Sequence, residues 1–288
     1  MENNREIINP FIIHKPEEVI KPIWFMDYNK PHVGEIHKTN QGYDVIIIDY
    51  NHTKDIIVQF IDEYGAIKHT RYSRFKNGQI NNPYHPGKHK GYIGVGEYKS
   101  NDIHLKIHQA WSNILYRTIS DNQSYNKRNK AYINCSTCNE WYNYQNFAYW
   151  YDNYISSLNP LYYNDYQLDK DILQWNQPYK IYSPNTCCLV PKEINICLNS
   201  VYTQNKDVPP GVVKVNTYKI KYKAGIHLDT YTTIGIYDTP EEAFEAYVKI
   251  KKERLCFLAD KYYSINAIKK EVYDALYNLE ILPYGNIE

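Results

Sequence analysis

Hydrophobic residues along this chain follow two different rhythms. Near the start, "YDVIIIDY" (Tyr43–Tyr50) and "KDIIVQFID" (Lys54–Asp62) are dense in β-branched residues and predict two strands. "NHT" separates them as a turn, and "EYG" (Glu63–Gly65) closes the second. Asn-Gly, Asn-Pro and His-Pro-Gly then punctuate residues 77–87. This pattern predicts a small antiparallel barrel or a curled sheet. Farther along, the spacing becomes helical. Ile107, Trp111, Ile114 and Leu115 stand at i, i+4, i+7 and i+8, which is one apolar stripe. Trp141, Tyr144, Phe147 and Trp150 recur every three residues, the spacing of a buried helical face whose default role is core packing.

Beyond "DVPPGV", whose Pro-Pro-Gly marks a linker or turn, residues 212–228 and 230–238 read as strands broken by turns. The clearest helix start follows. Thr239 suits an N-cap, Pro240 the first helical position, and Glu242 stands three after the cap. Ala243, Ala246, Tyr247 and Ile250 form the apolar stripe of that helix. A last helix places Ile268, Val272, Ala275, Leu276 and Leu279 on one face. The expected architecture is α+β in three parts. Residues 1–98 form a small β-barrel-like module, 99–200 a helix-rich module, and 201–288 a three-stranded sheet with helices.

Composition narrows the function classes. The chain has 288 residues, 43% of them hydrophobic, so packed cores are feasible. It carries 33 basic and 32 acidic side chains, a net charge of +1. Proteins that hold nucleic acid mainly through phosphates show a basic excess, so any basic surface here is local and balanced elsewhere. Tyrosine is abundant at 32 copies. Drift in an AT-rich genome accounts for that, and so does selection for interface anchors with large area and few rotors. The tyrosines of residues 142–154 (Tyr142, Tyr144, Tyr149, Tyr151 and Tyr154) are the interface candidates. No apolar run is long enough for a membrane span, and the N-terminal residues lack a signal-peptide pattern. The expected location is the cytoplasm, with the six cysteines as reduced thiols. Cys135 and Cys138 form a C-x2-C pair, but the adjacent Cys187 and Cys188 make a poor second pair for zinc. His104 and His108 share a helical face without a third ligand of clear spacing.

"GV" at Gly211–Val212, "YKIKYKAGI" (Tyr218–Ile226) and "IGIYDTPEEAFEAY" (Ile234–Tyr247) resemble the APETALA2-type DNA-binding domain, three antiparallel strands on one helix. "CNEW" at Cys138–Trp141, "LDKDIL" at Leu168–Leu173 and "YSPNTCCLVPKEIN" at Tyr182–Asn195 resemble the His-Asn-His nuclease module that precedes such domains in phage proteins. Together the two resemblances span residues 105–265. "YIG" at Tyr92–Gly94 lacks the partner triplet of a GIY-YIG nuclease, so that family is set aside.

The His-Asn-His resemblance implies a site in which one His activates water and Asp with His or Asn holds a divalent metal. The strand of that motif ends in Asp-His; here the pair is Asp169–Lys170. A protonated lysine has no acceptor lone pair and repels a cation. Asp169, Asp171, Asn185 and Asn195 remain as oxygen ligands, for Mg²⁺ under the nuclease alternative alone. The competing reading has Asp169 and Asp171 alternating on a strand, solvated or hydrogen-bonded. The APETALA2 resemblance implies a DNA-facing sheet, for which Lys214, Lys219, Lys221 and Lys223 are the candidates. Lysines contact phosphates, whereas base readout prefers bidentate Arg, so weak, salt-sensitive DNA binding is the most they imply. The degenerate site also resembles, among phage proteins, a Gabija anti-defence protein. That implies a non-catalytic, homo-oligomeric inhibitor in the host cytoplasm that binds a defence nuclease–helicase assembly and blocks its action on DNA. It needs no cofactor and no membrane. The alternative is a DNA-binding protein or an active endonuclease.

Overall fold

The structure, a computed structural model, describes residues 26–87, 89–100, 105–118, 132–199, 208–216, 218, 220–227 and 230–283. It is α+β, and the described residues group into two compact units. One holds those up to Leu105 with Tyr142–Phe147; the other holds Lys106–Trp141 and the described residues from Ala148 onward.

In the first unit, β1 (Ile36–Lys38), β2 (Asp44–His52), β3 (Asp55–Phe60) and β4 (Ile67–Thr70) form an antiparallel sheet in sequential order. The sheet is open rather than a closed barrel: β1 and β4 are its two edges. With β1 only 3 residues long and β4 only 4, the edges do not extend far enough to meet. Irregularities in the β2–β3 register after Ile47 and Tyr50 carry β2 on through Asn51 and His52, which the sequence assigned to the turn. Val45, Ile47, Ile56, Val58, Phe60 and Ala66 bury one face, and Phe75 of the short helix α1 (Tyr72–Lys76) closes over it. The loop at 93–98 is gripped by Gln145, whose Nε2 donates to the carbonyls of Ile93 (3.0 Å) and Tyr98 (2.9 Å).

In the second unit, helix α2 (Leu105–Thr118) buries the four residues of its predicted stripe. Helix α3 (Tyr144–Ser156), whose residues through Phe147 belong to the first unit, follows a 3-10 turn, Asn139–Tyr142, that carries Trp141. Trp141 is fully buried, and its carbonyl accepts from Trp111 Nε1 at 2.7 Å. Strand β5 (Cys135–Thr137) pairs in parallel with β7 (Lys180–Tyr182). Strand β6 (Tyr166–Asp169) pairs antiparallel with β8 (Cys188–Pro191), and helix α4 (Lys192–Asn199) follows at once.

The C-terminal part is a three-stranded antiparallel sheet, ordered β11 (Tyr231–Tyr237), β10 (Ile220–His227), β9 (Val212–Asn216). It packs on helix α5 (Pro240–Ser264), whose start has both bonds of a capping box between Thr239 and Glu242. Val212, Ala224 and Ile226 of the sheet meet Ala243 and Tyr247 on the buried side. Helix α6 (Lys270–Tyr277) buries Val272 and Leu276, with Ile268 and Leu279 beside them. Asn159 N–H donates to the Asn266 carbonyl (2.9 Å) and Trp175 Nε1 to the Glu280 carbonyl (2.6 Å), so the terminal helices are bonded to the central segment. Among the described residues no helix is long and apolar enough to cross a membrane.

Gly211 sits at φ +74°, and a Cβ there would lie 2.1 Å from the Tyr247 ring. Glycine is therefore required both by backbone conformation and by the approach of the ring. Gly211→Ala is expected to lower the unfolding free energy by roughly 2–4 kcal/mol in urea denaturation.

Candidate functional site

Strands β6 and β8 with helix α4 form a ββα unit, and Asp169 ends its first strand. Asp169 is buried and acts on the backbone. Its Oδ1 accepts from the N–H of Asp171 (2.7 Å) and of Ile172 (2.8 Å), turning the chain into a 3-10 turn at Ile172–Gln174. Asp171 is therefore off the strand, and the expected alternation of the two carboxylates along it does not occur. The local reason is that Asp169 satisfies the two N–H groups that a continuing strand would have offered to a ladder.

Lys170, in the position that the resemblance reserves for histidine, is 6% exposed. Its Nζ donates to both oxygens of Asp171, at 2.8 and 3.0 Å. Lys180 of β7 donates to Asp171 Oδ1 as well. The Lys170 ammonium lies 5.2 Å from the centre of the Tyr132 ring, and the Arg117 guanidinium 5.0 Å from the same ring. Gln174 braces the turn, donating to the carbonyls of Lys170 (2.7 Å) and Ile181 (3.0 Å) and accepting from the Ile181 N–H (3.1 Å).

The electrostatics follow from this packing. Burial favours the neutral form of Lys170, but the Asp171 carboxylate outweighs it and raises the lysine above its ordinary range. A lysine held charged in this way does not serve as a base. Burial likewise pushes Asp171 up, and the ammonium groups of Lys170 and Lys180 more than reverse that, holding it below the usual carboxylate range. Asp169 is pushed up to about 6, chiefly by burial and then by the Asp171 charge. Burial also raises the thiols of Cys135, Cys187 and Cys188, and that of Cys138 to about 12. All six cysteines are free.

These groups do not fit a divalent cation. Two ammonium groups hold Asp171, and Asp169 faces backbone N–H groups. Asn185 is exposed in the turn before β8, and Asn195 donates to Gln167 Oε1 at 2.7 Å. Among the described residues no three His, Cys, Asp or Glu side chains form a group able to hold a metal. His108 is half-buried against Trp111; His104 lies outside the described residues.

In the C-terminal sheet, Lys221 and Lys223 share the face turned away from α5. Lys221 is paired with Asp238, and Lys223 lies 5.4 Å from the Tyr231 ring centre. Lys214 pairs in register with Tyr222, on the side that carries Ala224, and is exposed there; Lys219 lies outside the described residues. The same open face carries the apolar side chains of Val213 and Ile236, 50% and 60% exposed, in one row with Lys223. Of the five tyrosines, Tyr144, Tyr151 and Tyr154 are buried, Tyr142 is half-buried and Tyr149 is exposed. Three of them are core volume in this chain.

Sequence reasoning missed Lys180, Gln174, Arg117 and Tyr132, which complete the charge cluster from separate stretches of chain. It also missed Lys251, a fully buried lysine whose Nζ donates to the Cys197 carbonyl in the last turn of α4. The signal available for Lys251 was its place four residues after Tyr247 on the apolar stripe of α5. Comparison with family models, with curated proteins and with solved structures found no match.

The two aspartates should respond oppositely to substitution. The folded-state pKa of Asp169 is raised, so its favourable contribution is complete below about pH 4 and is lost as pH rises through about 6. Asp169→Asn keeps an acceptor oxygen, and at pH 8 it should stabilise the fold by on the order of 2 kcal/mol, with the gain vanishing near pH 4. The pKa of Asp171 is lowered, so its contribution is present at neutral pH and is lost on acidification. Asp171→Asn leaves two ammonium groups without their carboxylate and should lower stability at pH 7 by about 3–5 kcal/mol. Urea titrations of both variants across pH 4–8 check this.

Proposed function

We propose that this protein is a non-catalytic binding protein that keeps the ββα frame of a His-Asn-His nuclease without its chemistry. The observation that carries the reading is the position of Asp171 between the ammonium groups of Lys170 and Lys180. A carboxylate matched internally in this way supports a structural role for the cluster. The partner in this reading is a protein. The open sheet face mixes exposed Val213, Ile236 and Tyr231 with a lysine. Apolar side chains gain from burial against a protein surface and gain nothing from phosphate oxygens. The phage-type resemblance supplies the class of partner: a host defence nuclease–helicase assembly of the Gabija kind, kept from its DNA by a homo-oligomeric inhibitor.

The test has two readouts. Purified protein with supercoiled plasmid and Mg²⁺ or Mn²⁺ should leave the plasmid intact. Co-expressed with a Gabija nuclease–helicase assembly, it should form a stoichiometric complex by size exclusion with light scattering. Val213→Glu with Ile236→Glu should abolish that complex while preserving the melting temperature, and Lys170→Ala should leave it intact. Metal-dependent nicking that disappears in Asp169→Asn or Asp171→Asn would overturn the non-catalytic reading. Failure to form the complex, or a complex indifferent to charge on the sheet face, would overturn the assigned partner or surface.

A further inference from the structure

The first unit carries a cationic cleft that plays no part in the reading above. The cleft, about 450 Å³, is lined by Lys54, Asp55, His69, Thr70, Arg71 and Arg74. Its walls are built by backbone bonds. The Tyr72 N–H donates to the Thr53 carbonyl at 2.9 Å, which fastens the β2–β3 turn to the start of α1 and brings Lys54 beside the arginines. The Arg71 carbonyl accepts from the N–H of Arg74 (3.0 Å) and of Phe75 (3.2 Å), and Phe75 is anchored in the core. Arg71 and Arg74, three residues apart across this turn, are on one side of it. His69 and Thr70 of β4, the strand paired with β3, complete the lining.

The charge in this cleft is unmatched. Elsewhere in the unit Lys30, Lys38 and Lys76 are paired with Asp49, Asp44 and Glu35. The side chains of Lys54, Arg71 and Arg74 make no hydrogen bond or ion pair among the described residues. The one lining carboxylate, Asp55, accepts from Asn51 Nδ2 at 2.8 Å and lies 3.7 Å from His69 Nδ1. Three cations lining one concave surface, in a chain whose net charge is +1, form a local positive field.

We propose that this cleft binds phosphate groups, either of a nucleic-acid backbone or of a free phosphate compound. Donors from three separate stretches, Lys54 in the β2–β3 turn, His69 and Thr70 on β4 and the two arginines at α1, suit a tetrahedral anion, whose oxygens point in several directions. A planar carboxylate is served by a single guanidinium fork. The contacts are to phosphate, so the site reads charge without base sequence.

The test is fluorescence anisotropy of the full chain with a labelled 20-nucleotide single strand and the matching duplex at 50–200 mM salt, with inorganic pyrophosphate and poly-glutamate as competitors. Three neutralised phosphates predict a log–log salt slope of about −2 for the single strand. Arg71→Glu with Arg74→Glu, both exposed, should weaken binding at least about tenfold and flatten that slope, while the charge-matched pair Lys249→Glu with Lys252→Glu on α5 should stay within about twofold. Binding to the strands without displacement by pyrophosphate identifies the polymer backbone as the source, and displacement identifies a free phosphate site; both support the proposal. Equal losses in the two variant pairs, no binding of any phosphate compound, or displacement by poly-glutamate as readily as by pyrophosphate would overturn it. The sheet-face variant should retain oligonucleotide binding, so the two readings fail separately.

Discussion

A carboxylate removed from water is either neutralised or matched by positive charge, and Asp171 is where matching organises the second unit. Its two partners come from different places, Lys170 from the adjoining turn and Lys180 from β7. Because Cys135 of β5 is in register with Lys180, the same pairing positions the β5–β7 ladder against the end of β6. Tyr132 and Arg117 extend the arrangement to α2. Asp171 is the member the others depend on, since without it two ammonium groups are left uncompensated in low dielectric. The cluster occupies the end of the first strand of the ββα unit.

Glu193 repeats the rule on a smaller scale. Arg254 (2.5 Å), Lys261 (2.7 Å) and the Tyr262 hydroxyl (2.6 Å), all on α5, converge on this one side chain of α4. Lys251 adds a bond to a carbonyl in the last turn of α4, the negative end of that helix. Through such contacts the helix of the C-terminal sheet is held to the ββα frame. The tyrosines take part in the same way. Tyr144, Tyr151, Tyr166, Tyr182 and Tyr247 are among the largest fully buried side chains, and a high tyrosine count therefore reflects core volume as much as surface.

A net charge of +1 had implied that any basic surface would be local. Lysines of the C-terminal sheet are partly engaged, Lys221 by Asp238 and Lys223 by the Tyr231 ring, and that face is left with an apolar character. In the first unit, Arg71 and Arg74 line a cleft with their side chains unpaired among the described residues. A surface that attracts apolar groups and a cleft that attracts anions are thus carried by separate units of one chain.

Features that depend only on near neighbours are written into short stretches of the chain. The stripe of α2, the capping box at Thr239–Glu242, the face of α6 and the two long strands β2 and β3 are set within a few residues and were legible, whereas the short edge strands β1 and β4 were not. The lysine at position 170 was legible too, although the fold decides its charge, through burial on one side and the Asp171 carboxylate on the other. Local pattern did not determine whether the first sheet closes, since closure depends on how far separate strands overlap. Nor did it place Lys180, Arg117 and Tyr132 around Asp171, or make Lys251 a buried residue. Those are long-range outcomes: tertiary packing removed the groups from water and thereby made their mutual pairing obligatory, and no periodicity along a chain records which distant charge will be there to meet them.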